Sequence, residues 1–364
     1  MNFELIIGIG FVMATVIQLI YWGIIFPRII FHKDAVNEGV QHEVSIIICA
    51  KNEAENLRRN LPHILNQNYP SYEVIVVNDN STDKTETILL DFQKMYPILR
   101  SISSTTNKVG KKSALANGIQ AAKYKVLLLT DADCRPNSSD WLRLMQQNIE
   151  GEVAITLGYA PYDRYPTLLN RFIRYETVYT GLQYLSFALW GQPYMGVGRN
   201  LMYQKSLYYK VGGFISHEHI ASGDDDLFIH AVSHLNNIGV VLDKRSFVYS
   251  VPKFSWRSLY RQKTRHLSTA TSYRLKHKVL LGLLSGSHFA HYVLGTFTLI
   301  QGYQSLLVGG YLIRMSIILL VSQFILRKLD EKGLLMWIPV LDVMMLFYYI
   351  VFSSTLVRDA KNRW

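Results

Sequence analysis

Leu127-Leu128-Leu129-Thr130-Asp131-Ala132-Asp133-Cys134 is the stretch on which the reading of this chain turns. Three consecutive leucines predict a strand buried on both faces, and the run breaks into two carboxylates one residue apart. In extended backbone, residues i and i+2 share a side. Asp131 and Asp133 are therefore expected to aim together beyond the strand's carboxyl end, where open α/β sheets place ligands. Paired hard oxygens suit Mg²⁺ or Mn²⁺, ions that commonly share their coordination with phosphates. A polar turn whose aspartates cap a following helix reads the same residues without a ligand, so the surroundings decide.

Working outward towards the N-terminus, Val44-Ser45-Ile46-Ile47-Ile48-Cys49-Ala50 predicts another buried strand, ending at Lys51-Asn52-Glu53. Leu57, Leu61, Ile64 and Leu65 then follow helical spacing, with Pro62 expected to kink or restart the helix. Tyr72 to Val77 predicts a strand broken by Asn78-Asp79-Asn80-Ser81-Thr82-Asp83, and Lys84 to Met95 a helix. A short strand is expected over Leu99 to Ser103. Lys108-Val109-Gly110-Lys111-Lys112 opens a helix running to Ala122. Such alternation of strand and helix argues for a parallel, doubly wound α/β sheet covered on both faces. Glu53, Asp79 and the Asp131/Asp133 pair fall at strand ends that line one crevice, as a nucleotide site requires. There is no Gly-x-Gly-x-x-Gly at the first helix and no Walker Lys-Ser/Thr loop, which excludes the common dinucleotide and P-loop sites.

Apolar residues are spread unevenly. Phe3 to Phe26 and most of Val279 to Leu356 are nearly free of charge, and about 20 apolar residues span a bilayer. The first segment is long for a cleavable signal and lacks a basic start, so it is expected to be an anchor. The second divides into segments near 279–300, 303–326 and 335–356. Arg314 lies near the middle of one of them, which is costly in lipid. The net charge of +11 is concentrated beside these segments, with Arg28, His32 and Lys33 after the first and Arg274, Lys276 and Lys278 before the second. That distribution predicts a polar middle on the cytoplasmic side and affinity for anionic lipid. With four spans, Arg358, Lys361 and Arg363 would then lie on the far side, against the charge rule. Either one segment is re-entrant or the rule fails here. The aromatic residues cluster in apolar segments instead of alternating with basic ones, which argues against nucleic-acid binding. Two cysteines, Cys49 and Cys134, give no disulfide framework.

Beyond Cys134, helices are expected over Trp141 to Ile149 and Leu168 to Trp190, and a strand over Val153 to Tyr159. Gly196-Val197-Gly198-Arg199-Asn200 is a flexible stretch where backbone can approach a ligand closely. Ser222-Gly223-Asp224-Asp225-Asp226-Leu227 places three carboxylates at a helix start. The helix dipole favours them there, and their mutual repulsion also raises at least one pKa into the range of a base. Trp256 to Lys276 predicts an amphipathic helix with Arg257, Arg261 and Arg265 on its basic face. It suits either a membrane interface or a solvated surface.

Taken together, Val-Ser-Ile-Ile-Ile-Cys-Ala-Lys-Asn-Glu at 44–53, Val-Asn-Asp-Asn-Ser-Thr-Asp at 77–83, Gly-Lys-Lys-Ser-Ala-Leu at 110–115, Asp-Ala-Asp at 131–133, Gly-Asp-Asp-Asp-Leu at 223–227 and Gln-Lys-Thr-Arg-His at 262–266 resemble the family 2 glycosyltransferases. The resemblance covers about Val44 to His266. It implies a GT-A nucleotide-diphospho-sugar transferase fold, a doubly wound mixed sheet, here with transmembrane helices at both ends. The expected organisation is an anchor over 1–27, a cytoplasmic catalytic domain over 43–254, an interfacial helix over 255–278 and a membrane region of about three helices over 279–357.

The resemblance further implies that Ala50, Glu53 and Asp79 bind the nucleoside and that Lys111 lies near the nucleotide. Asp133 would hold Mg²⁺ or Mn²⁺ against the diphosphate, with Asp131 in support. An aspartate of the Asp224–Asp225 pair would deprotonate the acceptor; counting back from Leu227 favours Asp224. Gln262 and Arg265 match the first and fourth positions of Gln-x-x-Arg-Trp, which lies near acceptor and diphosphate. His266 replaces the tryptophan of processive, cellulose-synthase-like members, and Asn78 replaces a commoner aspartate. The expectation is an inverting, membrane-embedded glycosyltransferase acting on a nucleotide-sugar and a lipid-linked or glycan acceptor in cell-envelope synthesis. Its alternatives are a processive polysaccharide synthase, for which a homodimer would be needed to form a pore, and a non-catalytic membrane scaffold.

Overall fold

The computed structural model describes residues 3–35, 41–104, 110–220, 222–233 and 237–353. Lys108, Val109 and the charged Arg358, Lys361 and Arg363 lie outside them. The strands are β1 (Val44–Ala50), β2 (Tyr72–Asn78), β3 (Leu99–Ser103), β4 (Val126–Asp131), β5 (Cys134–Pro136), β6 (Val153–Gly158), β7 (Leu201–Gln204), β8 (Asn237–Val241) and β9 (Val248–Ser250). Seven of them form one sheet in the order β3-β2-β1-β4-β7-β6-β8, and β5 pairs with β9 in a separate two-stranded sheet. β1 to β4 run parallel, whereas β7 is antiparallel to both β4 and β6. The sheet is therefore mixed, and its carboxyl edge at β1, β2 and β4 carries the residues singled out in the sequence.

The uninterrupted apolar runs have a direct cause. Ile47, Ile75, Val77, Leu127 and Leu129 face one core, with Ala114, Leu115 and Ile119 of the helix Lys111–Ala121 and the long helix Leu168–Leu189. Ile46, Ile48, Val74, Val76 and Leu128 face a second core, with Leu57, Leu61, Ile64 and Trp141. Burial on both faces removes the polar alternation that a half-exposed strand would show. The helix Ala54–Leu65 runs through Pro62 without a break and ends three residues later, where Asn66 Nδ2 donates to the Pro62 carbonyl at 2.7 Å. Gly118 lets the helix Lys111–Ala121 lie directly on β1: a Cβ there would meet Ile47 Cγ2 at 2.6 Å.

Among the described residues, three helices are long and apolar enough to cross a membrane: Phe3–Phe31, Gln304–Lys328 and Leu335–Ser353. The sequence predicts three apolar C-terminal segments, and all three form helices, of which two meet that standard. The other, Leu275–Ile300, carries buried His277, His288 and His291 and packs along the N-terminal helix. Gln18 Nε2 donates to the Leu284 carbonyl and to Ser287 Oγ across that contact, at 2.9 and 2.8 Å. Arg314 is fully buried instead of facing lipid. Its guanidinium contacts Asp342 at 2.6 and 3.1 Å and Gln18 Oε1 at 3.1 Å. An internal partner thus compensates the charge buried among these apolar helices.

Candidate active site

β4 ends at Asp131, and Ala132 and Asp133 form a turn before β5 starts at Cys134. The two aspartates are thus gathered by a turn, not by the continuous strand that their spacing predicts. Asn60 Nδ2 donates to the Ala132 carbonyl at 3.2 Å and ties the turn to the helix Ala54–Leu65. One ligand atom each of Asp131, Asp133 and Cys134 lies within 4.8 Å of the others. Burial, and then the neighbouring Asp131 charge, pushes the Asp133 carboxyl above its ordinary pKa. Burial likewise raises the Cys134 thiol, which donates to Asp133 Oδ1 at 3.4 Å. The two close carboxylates supply hard oxygens that fit Mg²⁺ or Mn²⁺, with the Cys134 thiol beside them as a hydrogen-bond donor, and a cation there would relieve the repulsion.

Lys111, the first residue of its helix, places Nζ 2.9 Å from Asp131 Oδ1 and 3.0 Å from Asp224 Oδ2. Burial alone would lower its pKa, but these two carboxylates outweigh burial and hold the ammonium well above its usual value. Asp224 follows Gly223, whose φ of 99° directs the chain into the site. Burial disfavours the Asp224 carboxylate, yet Lys111 reverses the sign and holds its pKa below the usual range.

The other two acids of the triplet are engaged differently. Asp225 caps the helix Asp226–Val232, accepting from Asp226 N at 2.8 Å and from Gly198 N at 2.7 Å. Burial, followed by Asp224 and Asp226, pushes its pKa up to about 7. Asp226 Oδ2 accepts from the hydroxyls of Thr269 and Tyr273, at 2.5 and 2.8 Å, beyond the amphipathic helix.

At the crevice's other end, the Ala50 carbonyl accepts from Asp79 N at 2.8 Å, joining the ends of β1 and β2. Asp79 is buried, and its Oδ1 has no partner among the described residues, leaving an acceptor suited to a nucleobase N–H. Lys51 Nζ is 3.9 Å from its other oxygen. Glu53 accepts from Asn56 Nδ2 at 2.6 Å, and burial raises its pKa. Asn78 has a local task, donating to Glu86 Oε2 at 2.5 Å and accepting from Ser81 N at 3.1 Å.

The helix Trp256–Leu267 brings Gln262 to the Tyr162 hydroxyl at 3.3 Å, while Arg265 and His266 are exposed. Three residues join the site that sequence reasoning did not assign to it: Tyr162, Arg199 and Lys253. The Arg199 guanidinium lies 4.4 Å from the Tyr162 ring centroid and donates to Ser250 Oγ at 2.6 Å, and its charge acts on Asp133. Its backbone is fixed by the fully buried Asn200, whose amide binds Trp141 Nε1, the Tyr159 carbonyl and the Ser246 carbonyl. Lys253 lines a cavity of about 440 Å³ together with Asn56, Asp133, Phe254 and Ser258. An arginine next to the flexible glycines was the one available signal.

This geometry has counterparts among known proteins. Residues 45–212 match the family described as Glycosyl transferase family 2. A probable glycosyltransferase, YdaM of Bacillus subtilis (strain 168), is 28% identical over 236 residues, covering 61% of this chain and 54% of that protein. A beta-monoglucosyldiacylglycerol synthase of Nostoc sp. is 29% identical over 154 residues, covering 41% of this chain and 33% of that protein. The chain thus spans about half or less of the length of these relatives. A mannosyltransferase from Pyrobaculum calidifontis, solved with GDP-Man and Mn²⁺, shares the fold at a TM-score of 0.61 and 17% identity, covering 94% of this chain and 98% of that one. With its mixed sheet, its Asp-Ala-Asp turn and these relatives, the chain carries a glycosyl transferase family 2 domain over residues 45–212.

Proposed function

We propose that the chain is an inverting glycosyltransferase that moves a sugar from a nucleoside-diphosphate sugar to a lipid-linked or membrane-proximal acceptor on the cytoplasmic face of a membrane. The observation that carries this reading is the Lys111 ammonium held between Asp131 and Asp224, 2.9 and 3.0 Å away, which joins the candidate metal pair to the candidate base in one crevice.

Asp133, with Asp131, would hold Mg²⁺ or Mn²⁺, whose charge offsets that developing on the departing diphosphate. Ala50, Glu53 and Asp79 orient the nucleoside, the unpartnered Asp79 Oδ1 accepting a base N–H. Asp224 takes the proton of the acceptor hydroxyl as its oxygen attacks the anomeric carbon. The bond from that carbon to the phosphate oxygen breaks on the opposite face, so configuration inverts. Lys111, released from Asp224 by this protonation, remains beside the diphosphate. Gln262, Arg265 and the exposed basic face of their helix suit an acceptor presented at a membrane surface. An exposed histidine at 266 gives no support to a processive reading.

The test uses the full chain in mild detergent with Mn²⁺ and labelled nucleotide-sugars, with and without a membrane lipid extract. Label from one donor is expected to enter the organic phase only when lipid is present. Label transferred to water-soluble glycan regardless of lipid would overturn the lipid-linked acceptor.

A further inference from the structure

The loop 329–334 joins the helices Gln304–Lys328 and Leu335–Ser353, yet its two acids are bound by residues of the sheet region. Asp330 Oδ2 accepts from Arg164 Nη2 at 2.7 Å and from the Tyr249 hydroxyl at 3.1 Å, and Lys244 Nζ lies 3.8 Å from its Oδ1. Glu331, the next residue and buried, takes Arg174 Nε and Nη2 at 2.8 and 2.6 Å. Arg174 Nη2 also donates to the Lys332 carbonyl at 2.7 Å. Asp330 holds a φ of 53°, left-handed backbone that Asp and Asn tolerate better than most side chains.

The route from Asp330 to the Asp-Ala-Asp turn is short. Tyr249 is the middle residue of β9 and pairs with Arg135 of β5, whose guanidinium lies 5.8 Å from the Tyr249 ring centroid. The next pair is Ser250 with Cys134, and Asp133 directly precedes Cys134. Ser250 Oγ also accepts from Arg199. One tyrosine hydroxyl thus connects a carboxylate on a membrane-helix loop to the small sheet that carries the end of the turn.

We propose that Asp330 is a positioning residue for the metal site: through Tyr249 it fixes β9 and β5, so that Asp133 meets a divalent cation only when the membrane helices are seated against the sheet region. The inference rests on the reading of Asp133 as a metal ligand. Two independent strands of the structure converge on it, the pair of acids at one loop tip and the pairing of β9 with the strand that follows Asp133.

The experiment measures Mn²⁺ uptake by the full chain in detergent, without donor, from the electron paramagnetic resonance signal of free Mn²⁺. Tyr249→Phe removes only the hydroxyl and keeps the ring beside Arg135. Asp330→Gly removes the carboxylate to which the Tyr249 hydroxyl donates and adopts left-handed backbone freely. Asp133→Asn is the reference for a lost site. Each link variant is expected to weaken Mn²⁺ binding by about tenfold, as remote supports of metal ligands do, with the thermal unfolding transition retained. The double variant is expected to bind no more weakly than either single one, because both cut the same link. Should Asp330→Gly fail to fold, Tyr249→Phe alone decides. Wild-type affinity in the folded link variants would overturn the inference. Absence of uptake by the unsubstituted chain would overturn the metal reading itself, and the inference with it.

Discussion

Lys111 Nζ lies 3.0 Å from Asp224 Oδ2, so the candidate base is held as a carboxylate by a lysine 113 positions earlier in the chain that also touches the candidate metal pair. Removing that ammonium, in Lys111→Met, leaves burial as the dominant influence on Asp224 and moves its pKa upward. The acid limb of the kcat/KM profile is therefore expected to shift to higher pH, along with a fall in kcat. An unshifted limb in the pH–rate profile would detach Asp224 from the reaction.

Asp224 and Asp225 are expected to part company on substitution. Asp224→Asn should lower kcat by about 10²–10⁴-fold, the usual range for a general base. Asp225→Asn keeps an acceptor for only one of its two backbone donors, Gly198 N and Asp226 N, but leaves Asp224 and Lys111 in place, and should cost less in kcat. Steady-state kinetics of the two variants separate them.

The raised pKa of Asp225, about 7, also has a consequence for stability. Folding raises this pKa above the value of an unfolded aspartate, about 3.9, so the protonated form favours the fold. Its contribution is complete below that unfolded value and is lost as pH rises through about 7. Relative to the unsubstituted chain, Asp225→Asn should therefore gain thermal stability progressively across that window and level off above it. Thermal unfolding at a series of pH values measures the difference.

Chelation is expected to abolish transfer, and added Mn²⁺ or Mg²⁺ to restore it. Asp133→Asn should remain inactive at every metal concentration. Titration of metal into the chelated protein, with donor turnover as the readout, checks both statements.

Arg314 and Asp342 predict non-additive stability. Each is fully buried, and removing one partner strands the other charge, at a cost of about 3–5 kcal/mol. Arg314→Met with Asp342→Leu should lose less than the two single effects combined. A double-mutant cycle by thermal unfolding in detergent gives the coupling.

The sequence made much of this architecture legible, for identifiable reasons. Runs such as Ile46-Ile47-Ile48 and Leu127-Leu128-Leu129 announce strands covered on both faces, and acids at their carboxyl ends mark the crevice. Asp131, Asp133, Lys111 and Asp224 are gathered into one cluster, whereas the turn at Ala132 that brings the first two together is not what simple alternation predicts. β7 and the β5–β9 pair escaped notice because strands of three or four residues carry too little pattern. Arg199 meets the site by its contacts with Tyr162 and Ser250 and by its charge on Asp133, none of them adjacent to it in sequence, and Asp330 meets Tyr249 across 81 residues. Arg314 reads as a penalty in its own segment because its partner, Asp342, lies 28 residues away on another helix.

The most direct measurement of the account is release of nucleoside diphosphate from a panel of nucleotide-sugars by the full chain with Mn²⁺ and lipid extract, run beside Asp133→Asn and Asp224→Asn. The account predicts release from one donor, stimulated by lipid and lost in both variants. Undiminished release by folded Asp224→Asn, or no release from any donor by the folded unsubstituted chain, would contradict it.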